Sequence, residues 1–316
     1  MIRSTTRLLL VLALWAAAEA GAKEGYNIWS RERVHRLHQR TLQEPHNTQV
    51  RLLLANAYYE DGEIWEAKRE LRGILELVPE SPEAHCNLAV ILHAQSSLSQ
   101  AREHYEAALA ADSTLVEAMA GLGVLLCRTG QGRGIELLER VLACEPGRHS
   151  VRYNLAVAYH RAEDPLRAIA HLEELLACEA SYPGGRAAMA QACFARGLGL
   201  LQAQEPAAAL AALERALEYD SSDDGLHFAA GLAHLKLEHL GQAEAAFEAA
   251  VERNPEHVPA LHNLAGVCER QGRLERAREL YEHVAQLTPH LDDIEAVRNA
   301  RYDEEYLFER GASASR

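Results

Sequence analysis

Residues 258–290 read VPALHNLAGVCERQGRLERARELYEHVAQLTPH, and they contain two runs of apolar residues at helical spacing. The turn Gln271-Gly272-Arg273 separates the runs, and Thr288-Pro289 ends the second one. The apolar positions are Leu261, Leu264, Ala265 and Cys268, then Ala277, Leu280, Tyr281 and Val284. This stretch therefore predicts a helical hairpin of about 34 residues, which needs a neighbour on each side to bury its apolar faces.

Three columns of residues repeat along the chain with nearly the same period. The small residues of the first helix recur at intervals of 34, 34, 33, 41, 34 and 34 residues, at Ala55, Ala89, Gly123, Ala156, Gly197, Gly231 and Ala265. The large residues of the second helix are Leu71, Tyr105, Leu138, Leu172, Leu213, Phe247 and Tyr281. The alanines that allow close helix crossing are Ala67, Ala101, Ala168, Ala209, Ala243 and Ala277. Three columns that share a period predict an array of about seven hairpins.

These repeats resemble the tetratricopeptide repeat family over roughly residues 47–291. The motifs that carry the resemblance are Leu54-Ala55-x-x-Tyr58, Leu88-Ala89-x-x-Leu92, Leu122-Gly123-x-x-Leu126, Leu155-Ala156-x-x-Tyr159 and Leu264-Ala265, with terminal prolines at Pro79, Pro146, Pro255 and Pro289. The resemblance implies an all-α, TPR-type helical-hairpin solenoid, a right-handed superhelix of about seven repeats with terminal capping helices. It also implies a protein-binding scaffold rather than an enzyme.

The first residues resemble an export signal. Arg3 and Arg7 precede the apolar run Leu8–Ala18, and Ala18-Glu19-Ala20 offers a cleavage site. A run of 11 apolar residues is shorter than the roughly 20 that span a bilayer, although an uncleaved N-terminal anchor is the alternative. We therefore expect export to the periplasm or cell envelope, with a eukaryotic secretory pathway left open.

The predicted domain organisation follows from the repeat spacing. We assign residues 1–20 to the signal peptide, 26–45 to an N-terminal capping helix, 46–182 to repeats 1–4, 183–189 to a loop insertion, 190–291 to repeats 5–7, 292–310 to a C-terminal capping helix and 311–316 to a disordered tail. A helix that begins at Arg186 and runs longer than its counterparts is expected to account for the slip in spacing, together with the loop. The alternative is a hinge at residues 181–189.

Composition and spacing give little support for catalysis, metals or cofactors. The net charge of −14, or −15 without residues 1–20, disfavours nucleic acid or an anionic membrane surface as the main partner, and membrane contact is expected only through the N-terminal segment if it is uncleaved. Six cysteines show no C-x-x-C spacing, and Cys144 and Cys178 occupy one column of adjacent repeats, too far apart for a disulfide. The pairs His35/His38 and His234/His239 lack further ligands. We therefore expect mostly buried free thiols, no metal and no cofactor.

The resemblance places the first helix of each hairpin on a concave surface, and these helices carry the candidate site. The expected groove residues are Tyr153, Asn154, Val157, His160, Phe194, Leu198, Leu201, Phe228, Leu232 and Leu235. Because the last six are apolar, we expect them to hold the apolar anchors of a partner peptide or helix, while Tyr153, Asn154 and His160 select polar groups.

The clamp by which chaperone-binding members of the family grip a carboxylate is not expected, because its cationic positions hold other residues. The matching positions are Leu52, Asn56, Asn87, Glu117 and Gly121. The predicted function is an adaptor in the assembly of an envelope complex for secretion, pili, polysaccharide export or cytochrome maturation. The alternative is an accessory subunit of an envelope enzyme that docks through its acidic convex face. A terminal helix or homo-oligomerisation filling the groove is also open.

Overall fold

The computed structural model describes residues 27–288, and every described element of regular structure is an α-helix. The expected signal peptide, C-terminal capping helix and tail lie outside these residues. The fifteen helices are α1 (Asn27–Gln43), α2 (Thr48–Glu60), α3 (Ile64–Leu77), α4 (Pro82–Ala94), α5 (Leu98–Ala111), α6 (Val116–Arg128), α7 (Arg133–Cys144), α8 (His149–Arg161), α9 (Pro165–Cys178), α10 (Gly185–Gln202), α11 (Pro206–Tyr219), α12 (Asp224–Lys236), α13 (Leu240–Arg253), α14 (Val258–Arg270) and α15 (Leu274–Leu287). The predicted all-α hairpin repeat fold is confirmed.

The helices after α1 form seven hairpins, and we call the first helix of each hairpin A and the second B. The chain divides into two compact units, unit 1 ending at Ala158 and unit 2 starting at Tyr159. The boundary falls inside α8, and the hinge considered as the alternative at residues 181–189 stays a prediction. Within residues 27–288, no helix is both long and apolar enough to cross a membrane.

The repeated columns form the core of the hairpins. The alanine column is fully buried in repeats 1, 2, 4, 5 and 6, and Ala277 is 2% exposed. The large column beside it is also buried, with Tyr281 the most exposed member at 4%. Small residues of the A helices leave room for this column: a Cβ on Gly197 would lie 2.6 Å from Leu213 Cγ. The shared period of the sequence thus reflects contacts made inside each hairpin.

The turn between helices A and B uses a left-handed residue in every repeat. Gly62, Gly130 and Gly272 occupy this position in repeats 1, 3 and 7, with φ between 73° and 82°. In the other four repeats it is filled by Ser96, Glu163, Gln204 and Glu238, with φ between 58° and 61°. Since non-glycine residues rarely adopt this conformation, these four turns carry backbone strain.

A basic residue at the fourth position of four A helices ties each helix to the loop before it. Each side chain donates a hydrogen bond to the backbone carbonyl six residues earlier. The pairs are Arg51 with Pro45 (2.8 Å), His85 with Pro79 (2.9 Å), Arg152 with Pro146 (2.7 Å) and His227 with Ser221 (3.1 Å). These bonds satisfy carbonyls between hairpins that helix geometry leaves without partners.

The loop insertion expected at residues 183–189 is wrong for most of that range, which belongs to the first helix of the fifth repeat. Helix α10 begins at Gly185, directly after Gly184 with φ of 74°, so residues 185–189 are helical and not part of a loop. The helix has 18 residues, whereas the other A helices have 13. Arg186 holds its added turn, because the guanidinium lies 5.1 Å from the Tyr219 ring and donates to the Glu218 carbonyl at 2.9 Å. That carbonyl lies at the C-terminus of α11, where a cation is favoured.

Candidate partner-binding surface

Three of the predicted site residues lie in unit 1, on helix α8. Tyr153, Asn154 and Val157 are each half-buried. Their spacing of one and four residues places Tyr153 and Val157 on one face of the helix, with Asn154 beside them. Val90 and Val124, at the equivalent place of α4 and α6, are also half-buried. The A helices of unit 1 therefore present partly exposed apolar side chains with polar groups among them.

Two asparagines link neighbouring A helices in unit 1. The Asn87 side-chain amide on α4 donates a hydrogen bond to the Asn56 oxygen on α2 at 2.8 Å. Each amide has four hydrogen-bonding sites, so this bond leaves others on both residues. Amide side chains held in this way are suited to bind the backbone of an extended peptide. Both residues occupy positions that match the carboxylate clamp of chaperone-binding family members, as the sequence indicated.

The remaining predicted residues belong to unit 2. Phe194 on α10 and Leu235 on α12 are half-buried, and Leu198 is 9% exposed. The two helices touch each other, and Phe194 Cζ lies 3.8 Å from the point where Gly225 of α12 would carry a Cβ. His160, near the end of α8, is half-buried as well. Phe194 and Leu235 are thus large apolar side chains that stay partly exposed on the A helices of unit 2.

Four predicted groove residues are instead part of the hydrophobic core. Leu201 and Phe228 are fully buried, Leu232 is 5% exposed and Leu198 is 9% exposed. The Phe228 ring lies 5.8 Å from the Phe247 ring and 5.0 Å from the His257 ring, inside the packing of repeats 6 and 7. The expectation that Leu201 and Phe228 contact a partner was therefore wrong. Apolar periodicity alone does not separate a groove-facing residue from one that turns toward the next helix.

The histidines of the A helices are adapted to an apolar surface. Burial lowers the pKa of His93 on α4, and the nearby Arg128 lowers it further. Burial also lowers the pKa of His160, with a smaller contribution from Arg161. Both imidazoles are therefore neutral at neutral pH, because their ordinary pKa of about 6.5 already lies below it.

A buried arginine stands near the A helices of unit 1, and the repeat pattern gave no sign of it. Arg148, in the loop before α8, is 5% exposed and donates to Glu145 at 3.1 Å. Its charge acts on the buried Cys86 thiol together with Glu117 and Glu83. Burial, followed by the two carboxylates, raises the pKa of Cys86 to about 12, so this thiol is unreactive at neutral pH.

The six cysteines are all free. Cys86, Cys193 and Cys268 are buried, Cys127 is half-buried, and Cys144 and Cys178 are exposed. The expectation of mostly buried thiols therefore holds for three of the six, because Cys144 and Cys178 lie at the exposed ends of their B helices.

Two pairs of histidines lie close together in the described part of the chain. The rings of His234 and His239 are 5.9 Å apart, and the Nδ1 atoms of His85 and His104 are 2.8 Å apart. Among residues 27–288, no group of three or more His, Cys, Asp or Glu side chains is placed to hold a metal ion.

Comparison with known families identifies the repeat. The family model described as "Tetratricopeptide repeat" matches this sequence over residues 52–115, 132–186, 194–238 and 228–291. Together these ranges make up more than half of the chain. This protein belongs to the tetratricopeptide repeat family. Proteins of this family mediate protein–protein interaction.

One curated relative matches part of this tetratricopeptide repeat protein. Type IV pilus assembly protein PilF of Pseudomonas aeruginosa is 30% identical over 146 residues, which are 45% of this chain. The match spans 57% of the length of that relative.

Two solved structures show the same fold. The C-terminal part of a TPR repeat-containing protein from Cytophaga hutchinsonii superposes with a TM-score of 0.52 at 17% identity, over 74% of this chain and 94% of that one. A chain of the Naa15/Naa10 complex bound to HypK-THB gives a TM-score of 0.51 at 17% identity, over 90% of this chain and 42% of its own. At these identities the likeness concerns the fold alone.

Proposed function

We propose that this tetratricopeptide repeat protein is a non-catalytic adaptor that holds a peptide or helix of a partner protein on its A helices. The observation that carries the proposal is the pair Phe194 and Leu235, large apolar side chains that stay partly exposed on touching helices. Large apolar side chains that stay exposed on one surface are typical of interaction sites on soluble proteins. Unit 1 by itself offers polar groups to a partner, at Tyr153 and at the Asn56–Asn87 pair.

The proposed setting is the assembly of a cell-envelope complex. The relative from Pseudomonas aeruginosa is a type IV pilus assembly protein, which supports a role in assembly. The arginines, apolar run and small residues of positions 3–20 support export. Mass spectrometry of the protein isolated from the envelope fraction tests export: a mature N-terminus at Gly21 or Lys23 is expected. A cytoplasmic chain with an intact N-terminus contradicts this part of the proposal.

Site-specific photo-crosslinking tests the surface. A photoreactive amino acid is placed at Phe194 or Leu235, and as matched controls at Leu166 or Leu274, which are 59% and 64% exposed on the B helices α9 and α15 of the same unit. We expect one partner to crosslink from Phe194 and Leu235 and not from the controls. Equal crosslinking from all four positions contradicts a specific A-helix surface.

Charge substitution at the same positions provides the functional test. The double variant Phe194→Glu/Leu235→Glu is expected to lose partner binding at least tenfold, since each carboxylate would be desolvated under the partner's apolar anchor. The control Leu166→Glu/Leu274→Glu is expected to bind as the wild type. Circular dichroism shows first that both variants are folded. If the first variant binds normally while binding falls steeply with salt, docking through the acidic convex face explains the data better.

A further inference from the structure

Helix α1 differs in charge from the rest of the protein. It carries four arginines and one glutamate, a net charge of +3, within a chain whose net charge is −14. It also carries His35 and His38. Exposed charges farther away than a Debye length, about 8 Å at physiological salt, are largely screened. A partner close to α1 therefore interacts with the positive charge of this helix and only weakly with the negative charge of the rest of the protein.

Three of the four arginines of α1 are exposed and make no strong ion pair. Arg31 and Arg36 are exposed and have no ion-pair partner among residues 27–288. Arg40 meets Glu44 at 3.4 Å, but both side chains are about half exposed, and such surface pairs hold little energy. Arg33 is committed to Glu60 at 2.6 Å. Arg31, Arg36 and Arg40 therefore form an exposed face that an anionic partner can reach.

An exposed tryptophan lies at the same end of unit 1. The Arg33–Glu60 ion pair brings the first turns of α1 beside the end of α2, and Trp65 follows as the second residue of α3. The Trp65 side chain is 65% exposed, with the Arg69 guanidinium 5.3 Å from its ring. Tryptophan beside a cation is typical of the interface between lipid headgroups and water, since the ring is apolar while its N–H is polar.

We propose that this end of unit 1, consisting of Arg31, Arg36 and Arg40 of α1 together with Trp65, docks on an anionic lipid surface. An anionic surface complements the arginines, and the exposed indole enters the headgroup layer. The sequence favours lipid over nucleic acid, because the expected export signal or anchor, with its apolar run Leu8–Ala18, precedes α1 by a short segment and would bring the helix to a membrane. Each arginine near such a surface strengthens binding by about fivefold, so the contact is reversible and orients the protein.

Binding of the full chain to vesicles of two compositions distinguishes electrostatic docking of the α1 arginines from insertion of the apolar run Leu8–Ala18. Vesicles of phosphatidylcholine alone report the apolar run, and vesicles with one third phosphatidylglycerol report the additional electrostatic binding. We expect the additional binding to fall at least tenfold in Arg31→Glu/Arg36→Glu/Arg40→Glu. The control Arg133→Glu/Arg161→Glu/Arg278→Glu reverses exposed arginines elsewhere and is expected to keep it. Additional binding that survives the α1 reversal overturns the proposal.

Tryptophan fluorescence tests whether Trp65 enters the headgroup layer. The chain contains three tryptophans, so the full-length double variant Trp15→Phe/Trp29→Phe reports on Trp65 alone. We expect brominated phosphatidylglycerol to quench its emission and shift it to shorter wavelength. Unquenched emission on vesicles that bind the protein overturns the proposal. So does binding of a single-stranded RNA oligonucleotide as tight as binding of the anionic vesicles, because it would make the basic face a nucleic-acid site.

Discussion

His257 Nδ1 accepts a hydrogen bond from the backbone N–H of Ala260 at 3.1 Å and thereby caps helix α14. The equivalent position of repeats 1, 2 and 6 holds Asn47, Ser81 and Asp223, whose side chains also accept from the first turn of their helix. His257 is 2% exposed and its ring packs on Phe228, so one side chain combines a helix cap with core packing between repeats 6 and 7.

We expect His257→Ala to lower the free energy of unfolding by about 2–4 kcal/mol, because the helix loses its cap and the core loses a buried ring. His257→Asn keeps an acceptor for the Ala260 N–H and is expected to regain about 1 kcal/mol of this loss. Urea denaturation of the two variants measures the difference. Equal stability of the two would show that the cap contributes nothing.

Because Phe228 is fully buried, a charged residue at this position is expected to lower the stability of the fold. Phe228→Asp places a carboxylate in a site without solvent, between the rings of Phe247 and His257. We expect a loss of more than about 3 kcal/mol in stability, since an unpaired buried charge adds to the loss of the ring. Thermal melting monitored by circular dichroism measures it. A melting temperature within a few degrees of wild type would contradict the assignment of Phe228 to the core.

The left-handed turns between helices A and B predict stabilising substitutions. Ser96 and Glu163 have φ of 59° and 58°, and both are exposed. Ser96→Gly and Glu163→Gly remove steric strain of roughly 1–2 kcal/mol per residue, offset by the greater chain entropy of unfolded glycine, so we expect a net gain of about 0.5–1 kcal/mol each. The measurement is the urea midpoint of each variant.

Gly62→Ala is the reverse control. Gly62 has φ of 82°, and a Cβ there would have no atom within 4 Å, so any loss reflects backbone strain alone. We expect a loss of about 1 kcal/mol. If the glycine variants lost stability and Gly62→Ala did not, the turn conformation assigned to these positions would be incorrect.

Two glycines of helix α10 predict opposite responses to the same substitution. A Cβ on Gly197 would lie 2.6 Å from Leu213 Cγ, whereas a Cβ on Gly199 would have open space. We expect Gly197→Ala to lose about 1–3 kcal/mol through overpacking, and Gly199→Ala to gain up to about 1 kcal/mol through helix propensity. Chemical denaturation of the pair tests this. A gain at both positions would mean that repeat 5 is packed less tightly than described here.

The period of the sequence predicted the hairpins because the residues that contact each other within a hairpin recur in every copy. The small residue at Gly197 and the large one at Leu213 are such a pair, and both were recognised from spacing. Features that differ between copies were missed. The strained turn at Glu163 and the buried Arg148 lie between helices, where helical periodicity gives no information.

The candidate surface was predicted less well than the fold, for a related reason. Helical spacing places Phe194 and Phe228 at the same position of successive A helices, yet Phe194 stays partly exposed while Phe228 is fully buried. The difference in exposure depends on the side chain that the next repeat places against each ring. Repeat 7 supplies His257 as a ring that covers Phe228, whereas Phe194 meets the small residue Gly225.

The lowered pKa values of four histidines lead us to expect that the free energy of unfolding decreases on mild acidification. Burial is the main cause that lowers the pKa of His93, His104, His160 and His234 in the folded protein. The unfolded chain therefore binds protons more readily than the folded one once the pH falls below the unfolded value of about 6.5. The stability associated with neutral histidines is complete above that pH and is lost progressively as the pH falls toward the lower folded values.

Denaturation at pH 7.5 and pH 5.5 tests this effect in the window where histidines titrate. Hydrogen bonds lower the pKa of Asp112 and Asp220, so the stability from these carboxylates is lost only at more acidic pH. We expect a lower urea midpoint at pH 5.5 than at pH 7.5, and a smaller difference in His93→Gln/His160→Gln, which removes two of the titrating rings. Replacement of the exposed His35 by glutamine serves as the control. A pH difference as large in the double variant as in wild type would assign the effect to other groups.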